Sequence, residues 1–186
     1  RLRAAGAAGI PLHTGRDRAA VRVLLDRGFA ERAPGSVASE SAAGVDIVVP
    51  VLNDPDRLRE LLATLPTGRV VVVDDGSTDA AATEEVATAV GARVVRHAVN
   101  RGPAAARNTG LQQTTAPFVA FIDADCLADP SWPTGLLRHF DDPTVAAAAP
   151  RIKPDDSGSS LLERYETTRS SLDMGGQPEL VRPGAR

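Results

Sequence analysis

Two short acidic motifs contain the residues of this sequence that are best suited to chemistry. Asp74 and Asp75 end a run that begins with four consecutive valines, and Asp123 and Asp125 directly follow the apolar run 118–122. Such runs favour buried strands, and open α/β sheets bind ligands at the carboxyl ends of their strands. Two acidic strand ends in one sheet therefore predict a metal-assisted nucleotide site.

The Asp-x-Asp spacing of Asp123 and Asp125 puts both side chains on the same side of an extended chain. This arrangement suits a divalent cation shared with a diphosphate, because Mg²⁺ takes hard oxygen ligands and leaves positions for phosphates and water. The same spacing also arises by chance in helix caps. Asp74 and Asp75 repel each other unless donors or a cation compensate, and a capping turn alone explains the paired Asp poorly.

The segment 100–110 supplies basic side chains. Arg101 precedes a predicted helix and suits a phosphate, while Arg107 can reach the same anion or pair with a strand-end Asp. Each of them is, taken alone, more often a surface arginine. The sequence offers no obvious base for Cys126, which is interpreted as a small buried residue. Among the histidines only His97, which follows a strand, is considered further.

Strands and helices that must position these residues alternate along the chain from Val45. The patterns predict strands at 45–50, 70–74, 93–96, 117–122 and 144–149. They predict helices from Pro55 and at about 78–90, 103–113 and 129–140. Such alternation implies an α/β fold, with a mostly parallel sheet covered by helices on both faces.

Residues 1–33 are predicted to be the helical end of a separate piece, followed by a linker at 34–44 and a larger domain at 45–186. Thr14 can start a helix that Gly28 ends. Its apolar stripe comprises Val21, Leu24 and Leu25. The first 40 residues carry seven Arg against four acidic residues, 7 − 4 = +3, but a solvated basic face is favoured over a DNA-binding helix.

Composition limits the classes of protein. The 186 residues are 42% hydrophobic and 24% charged with a net charge of −3, which is typical of a soluble globular protein and gives no case for nucleic-acid binding. The single cysteine excludes internal disulfides and cysteine-ligated zinc. No apolar run approaches the ~20 residues of a membrane span, and no secretory signal is visible. A cytoplasmic location is expected, and Arg1 and Arg186 both look like cut ends.

Four motifs in this order resemble family 2 glycosyltransferases of the GT-A (Rossmann-like) fold. They are the segments 46–50, 73–79, 100–110 and 123–125. The resemblance implies metal-dependent, inverting transfer of a sugar from a UDP- or GDP-sugar to the hydroxyl of a small-molecule or peptide-derived acceptor. The family commonly has an aromatic residue where this chain has Leu52, which puts base stacking at that position in doubt.

The resemblance also implies residue roles. Pro50 and Asn53 would lie along the nucleotide, and Asp75 would read the base. Asp123 would lie near the ribose and the metal, and Asp125 would ligate Mg²⁺ or Mn²⁺. The diphosphate would be approached by Arg101, with Arg107 in the same site.

A narrower likeness connects the Arg-rich lead-in, the segment 100–108 and the tail 169–175 to a subfamily that glycosylates a peptide-derived redox cofactor. In that subfamily a small winged-helix-like, peptide-binding domain precedes the transferase, and residues 1–33 would be its last part. The catalytic base is expected beyond Arg186, because the carboxylates after Asp125 form no patterned acidic pair. Asp155 and Asp156 come closest, but they lie in a predicted loop.

Two alternatives stay open at this point. A phosphotransferase of the haloacid dehalogenase type also uses Asp-x-Asp at a strand end. That class places Thr or Val two residues after the second Asp, where this chain has Leu127, and uses its first strand. The other alternative is a non-catalytic scaffold that binds a nucleotide or a peptide. No glycine-rich loop with Lys-Ser/Thr is present, which argues against a nucleoside triphosphatase.

Overall fold

The computed structural model describes residues 23–26, 44–66, 69–129, 132–141, 145 and 147–150. The strands are β1 (Val23–Asp26), β2 (Val45–Val51), β3 (Val70–Asp74), β4 (Arg93–Arg96), β5 (Phe118–Phe121) and β6 (Ala147–Ala148). The helices are α1 (Pro55–Thr64), α2 (Ala80–Ala89), α3 (Pro103–Gln112) and α4 (Trp132–Leu137), followed by a 3₁₀ turn at Arg138–Asp141. Among these residues no helix is long and apolar enough to cross a membrane.

The strands form one sheet in the order β4-β3-β2-β5-β1-β6. β2 pairs in parallel with β3 and β5, and β3 pairs in parallel with β4. Every residue of β2 and of β3 is buried. Continuous apolar strands of this kind are expected where helices cover both faces of a parallel sheet.

Alternate residues of β2 belong to two different cores. Ile47 and Val49 pack into the larger cluster together with Leu58 and Leu61 of α1. Val48 points to the other face and belongs to a smaller cluster that includes residues of α3. The period of two in a strand produces this division, and the predicted α/β architecture with helices on both faces is confirmed.

Carboxylates anchor the amino-terminal ends of α1, α2 and β2. Asp54 accepts a hydrogen bond from the backbone N of Arg57 at 3.2 Å, and Asp79 likewise caps α2. α2 begins at Ala80, two residues later than predicted. Asp46 lies at the beginning of β2, where one oxygen accepts from the backbone N of Thr115 at 2.7 Å and of Ala116 at 2.8 Å. These bonds tie β2 to the segment that leads into β5.

The predicted helix with Leu24 and Leu25 in its stripe is wrong where the structure describes it. Val23–Asp26 is a strand that pairs antiparallel with both β5 and β6. A short apolar run of this kind fits helix and strand periods equally well, and pairing with β5 gives its backbone groups partners that the sequence does not reveal. Other residues of 1–33, including Thr14 and Gly28, lie outside the described residues, so the domain division stays a prediction.

The elements near the end of the described chain are shorter than predicted. The helix expected at 129–140 begins at Trp132 and changes to a 3₁₀ turn after Leu137. The strand expected at 144–149 is reduced to Ala147–Ala148. Asp155 and Asp156 lie outside the described residues.

Candidate functional site

The candidate site lies at the carboxyl edge of the sheet. Because β2, β3, β4 and β5 run in parallel, the segments that follow them meet at the same edge. The chain passes from β2 to β3 on one side and later places β5 on the other side of β2. This reversal is a topological switch point, where open α/β sheets bind their ligands. Asn53, Asp75, Arg101, Asp123 and Asp125 all follow one of these strands.

Asn53 connects the segments that follow β2 and β3. Its backbone N donates to Ser77 Oγ at 2.9 Å, and its side-chain oxygen accepts from the backbone N of Thr78 at 2.8 Å. Asn53 adopts a left-handed φ of 55°, a conformation that Asn tolerates better than most residues. Pro50, the other residue predicted along the nucleotide, is buried within β2 beside Val73.

The side chain of Asp74 is satisfied by protein donors. One oxygen accepts from the backbone N of Ser77 at 2.8 Å and the other from Arg96 at 3.2 Å. Arg96 also donates to the carbonyl oxygen of Ser77 at 3.0 Å. Asp74 therefore stabilises the turn after β3, and the positive charge of the Arg96 guanidinium compensates its negative charge.

Asp75 is 4% exposed and has three protein donors. Its Oδ1 accepts from the backbone N of Arg101 at 3.0 Å, and its Oδ2 accepts from the backbone N of Gly102 at 2.7 Å. His97 Nδ1 lies 2.6 Å from the same Oδ1, while His97 Nε2 lies 2.8 Å from Thr109 Oγ1 in α3. An ionised carboxylate only accepts hydrogen bonds, so Nδ1 is the donor.

Gly76 lets the segment after β4 approach the end of β3. Its φ is +84°, and a Cβ built at this position would lie 2.6 Å from both the backbone N of Asn100 and the carbonyl carbon of Val99. Any larger residue would push this backbone away. Gly76 therefore allows the contact that brings Arg101 to the carboxylate of Asp75.

Helix α3 carries an ion pair to the end of β5. Arg107 is 3% exposed, and its Nη2 donates to Asp123 Oδ1. The Nε of Arg107 is buried and finds no acceptor among the described residues. Gly110, one turn further on, allows α3 to pack closely on Val48 and Val73. The helix thus presents a cation beside the Asp-x-Asp motif.

Asp125 differs from Asp123 in its surroundings. It is exposed, and the contact that its carboxylate makes in the described part of the chain is a distant one from Cys126 Sγ at 3.8 Å. No group of three or more His, Cys, Asp or Glu side chains suited to a metal occurs among the described residues. The exposed carboxylate of Asp125 is suited to a divalent cation whose other ligands would be Asp123, water and a bound phosphate.

The structure brings the predicted residues to one edge of the sheet, and it shows one of the two contacts expected for Arg107, a pair with a strand-end Asp. Arg107 pairs with Asp123, whereas Arg101 contacts Asp75 through its backbone N. The sequence reading gave no role to His97 and did not identify Thr109 as its partner. A polar residue directly after a strand was the available signal for His97, and nothing in the sequence distinguishes Thr109.

Comparisons with known proteins give a consistent family. The model described as glycosyl transferase family 2 matches residues 46–181. The pre-mycofactocin glycosyltransferase of Mycobacterium tuberculosis (strain ATCC 25618 / H37Rv) is 43% identical over 163 residues, 87% of this chain and 34% of that protein. The succinoglycan biosynthesis protein ExoU of Rhizobium meliloti is 38% identical over 153 residues, 76% of this chain and 45% of that protein.

Among solved structures, the mannosyltransferase PcManGT from Pyrobaculum calidifontis, in complex with GDP-Man and Mn²⁺, is 30% identical. It matches 55% of this chain and 33% of its own with a TM-score of 0.49. In length, the chain spans about a third of the pre-mycofactocin glycosyltransferase named above.

Proposed function

The chain belongs to glycosyl transferase family 2, as its four motifs predicted, and we propose that it binds a nucleoside-diphosphate sugar at the carboxyl edge of its sheet for transfer to an acceptor hydroxyl. One observation carries the proposal. Arg107 pairs with Asp123, and the exposed Asp125 follows two residues later, at the switch point of the sheet. This combination of hard oxygen ligands and a buried cation suits a diphosphate held together with a metal.

The diphosphate is proposed to lie between the Asp-x-Asp motif and the start of α3. Arg101 is exposed at this edge and can donate to a phosphate, and the start of a helix favours an anion.

The nucleobase is proposed to lie near Asp75. A carboxylate has about four acceptor sites, and three of those of Asp75 are used by His97, Arg101 and Gly102. One site on Oδ2 remains for a ring N–H, which both uracil and guanine possess. Asn53 and Pro50 would then border the nucleotide on the β2 side. Asp75→Ala is expected to weaken UDP and GDP alike while leaving the metal requirement intact, and unchanged affinity for both would contradict the assignment.

A divalent cation, Mg²⁺ or Mn²⁺, is proposed to be held by Asp125 with Asp123. When bound, such an ion supplies positive charge that stabilises the diphosphate leaving group. Arg107 has a complementary task, because its ion pair fixes the orientation of Asp123 and leaves the exposed Asp125 to face the ion. The two carboxylates therefore differ in role although they are only two residues apart.

Transfer is proposed to be a single in-line displacement. The acceptor oxygen bonds to the anomeric carbon, the bond from that carbon to the diphosphate breaks, and configuration is inverted. A base takes the proton of the acceptor hydroxyl, and it must lie within hydrogen-bond reach of that group. We place this base outside the described residues.

The acceptor is proposed to be pre-mycofactocin, a peptide-derived compound, on the strength of the 43% identity with the pre-mycofactocin glycosyltransferase. The phosphotransferase alternative is not retained, because the family model covers residues 46–181. In addition, the Asp-x-Asp motif follows β5, whereas that class uses its first strand.

Calorimetric titration with UDP and with GDP, each in the presence of Mn²⁺, Mg²⁺ or a chelator, tests the donor site. We expect metal-dependent binding, and we expect Asp125→Asn to remove most of the metal dependence. Asp56→Asn is the matched control, because it neutralises another exposed carboxylate, on α1, that pairs with Arg59 at the surface. Equal affinity in chelator, or an Asp125→Asn protein that binds like the wild type, would refute the metal site.

A further inference from the structure

His97 is a buried polar residue for which the proposed transfer chemistry has no use. It is 6% exposed, directly follows β4, and both nitrogens of its ring have partners, Asp75 on one side and Thr109 on the other. Buried polar groups must be hydrogen-bonded, which accounts for the presence of partners. This rule does not explain why the partner is Asp75, whose carboxylate also accepts hydrogen bonds from the segment leading into α3.

The bonds of Asp75 fix a particular orientation of its carboxylate. Oδ1 must face Arg101 N and Oδ2 must face Gly102 N for both backbone bonds to form. His97 Nδ1 is the side-chain donor in this set, and at 2.6 Å it is the shortest of the three bonds. Because the carboxylate is almost completely buried, the loss of that donor leaves an acceptor site that is poorly solvated.

The backbone bonds in turn fix the loop from 97 to 102. Gly102 has a φ of +88° and precedes the first residue of α3, with no side chain capping the helix. The carboxylate of Asp75 therefore holds the chain at the entry to α3, where Arg101 emerges. A freely rotating Asp75 would release the backbone N–H of Arg101, whereas Gly102 N would keep its second acceptor, Asn100 Oδ1 at 2.9 Å. Arg101 would therefore lose the bond that holds its position.

Electrostatics adds to the geometric effect. Asp75 carries a negative charge at the edge of the sheet where the proposed diphosphate binds, and like charges repel. Three donors directed at the carboxylate stabilise this negative charge by charge-assisted hydrogen bonds. His97 contributes the one donor that belongs to a side chain and can therefore be changed by substitution.

We propose that His97 is a positioning residue of the donor site, which orients Asp75 and thereby holds the loop 97–102 and Arg101 in place for the diphosphate. The expected effect of His97 on nucleotide binding rests on the proposed function. The holding of the loop itself follows from the contacts of Asp75 and is measurable without any nucleotide.

Two substitutions of His97 separate the two nitrogens of the ring. The amide nitrogen of Asn stands at the same number of bonds from Cβ as Nδ1, so His97→Asn keeps a donor for Asp75 and loses the bond to Thr109. The amide of Gln matches Nε2, so His97→Gln keeps Thr109 and loses Asp75. Asp46→Asn is a control at the opposite edge of the sheet, where a buried carboxylate likewise holds two backbone N–H groups.

Each variant is titrated with UDP and with GDP in the presence of Mn²⁺, its thermal stability is measured, and amide hydrogen exchange is followed at Arg101 and Gly102. His97→Gln should weaken both nucleotides by roughly tenfold or more, the order expected for the loss of a hydrogen bond to a charged group. His97→Asn should restore the affinity to within about threefold of the wild type. Faster exchange of the Arg101 amide is expected in His97→Gln alone, and Asp46→Asn should lose stability but keep its affinity.

The proposal is overturned if the two His97 variants show equal affinity and equal exchange, or if affinity falls in proportion to stability in all three proteins. A wild-type protein that binds neither nucleotide would refute the proposed function by itself. The exchange rates at Arg101 and Gly102 would still decide whether His97 holds the loop.

Discussion

Replacing Gly110 by Ala sets two opposing effects against each other. In a helix interior Ala is favoured over Gly by up to about 1 kcal/mol. Against this, a Cβ at Gly110 would overlap one methyl of Val48 and lie 3.1 Å from Val73 Cγ2. Both valines are completely buried in adjacent strands, and their branched side chains have little freedom to rotate away.

The structure indicates that overpacking outweighs helix propensity. Extra methyl groups in a packed core cost about 1–3 kcal/mol. Taking the upper part of that range because the contact is with rigid strands, we expect Gly110→Ala to lower the free energy of unfolding by about 2 kcal/mol. For a chain of this size, that corresponds to a fall in Tm of roughly 4–8 °C.

Gly135→Ala is the matched control, since it places the same methyl in α4 where nothing lies within 4 Å of the added Cβ. This protein should be as stable as the wild type or more stable, by up to about 1 kcal/mol. Circular dichroism melts and urea titrations measure both variants. A Gly110→Ala protein that gains stability as Gly135→Ala does would refute the packing argument.

A second consequence links this packing to the donor site. Relief of the overlap requires α3 to move away from the sheet, and α3 carries both Arg107 and Thr109. We therefore expect Gly110→Ala to weaken UDP or GDP binding as well, while Gly135→Ala leaves it unchanged. Altered stability with wild-type affinity would show that the helix adjusts without moving these side chains.

Two further substitutions separate the site from the scaffold. Gly76→Ala should weaken nucleotide binding, because its Cβ would lie 2.6 Å from the backbone of Val99 and Asn100 and displace the loop before Arg101; calorimetry with unchanged affinity would contradict this. Asp54→Ala removes the cap of α1 and should cost about 1 kcal/mol of stability in a urea titration, and any loss of nucleotide affinity in that variant would show that the cap also shapes the site.

The sequence by itself determined the class of fold and the edge at which the site lies. Four consecutive valines before Asp74 leave few choices other than a buried strand, and alternation with amphipathic helices implies a parallel sheet. Once the strands are parallel, Asp75 and Asp123 must lie at the same edge. Short motifs in fixed order were enough to identify the family, because each motif consists of residues that are close together in the sequence.

The tertiary structure decided which of these residues contact each other. Arg107 and Asp123 are 16 residues apart, and His97 and Asp75 are 22 apart. Their pairing therefore depends on how closely α3 packs on the sheet and on the pairing of β4 with β3. These contacts depend in turn on Gly76 and Gly110. A local sequence pattern does not show how close other backbone and side-chain atoms lie to these two glycines.

The strand Val23–Asp26 is a second feature that the sequence alone did not predict. Its apolar residues fit a helical stripe, and only pairing with β5 and β6 selects the extended form. Local periodicity specifies which residues are apolar together, whereas a strand is stabilised by hydrogen bonds to partners that are distant in sequence. The physical reason is the same for the site and for the sheet, since contacts between distant segments are fixed by packing and not by neighbouring residues.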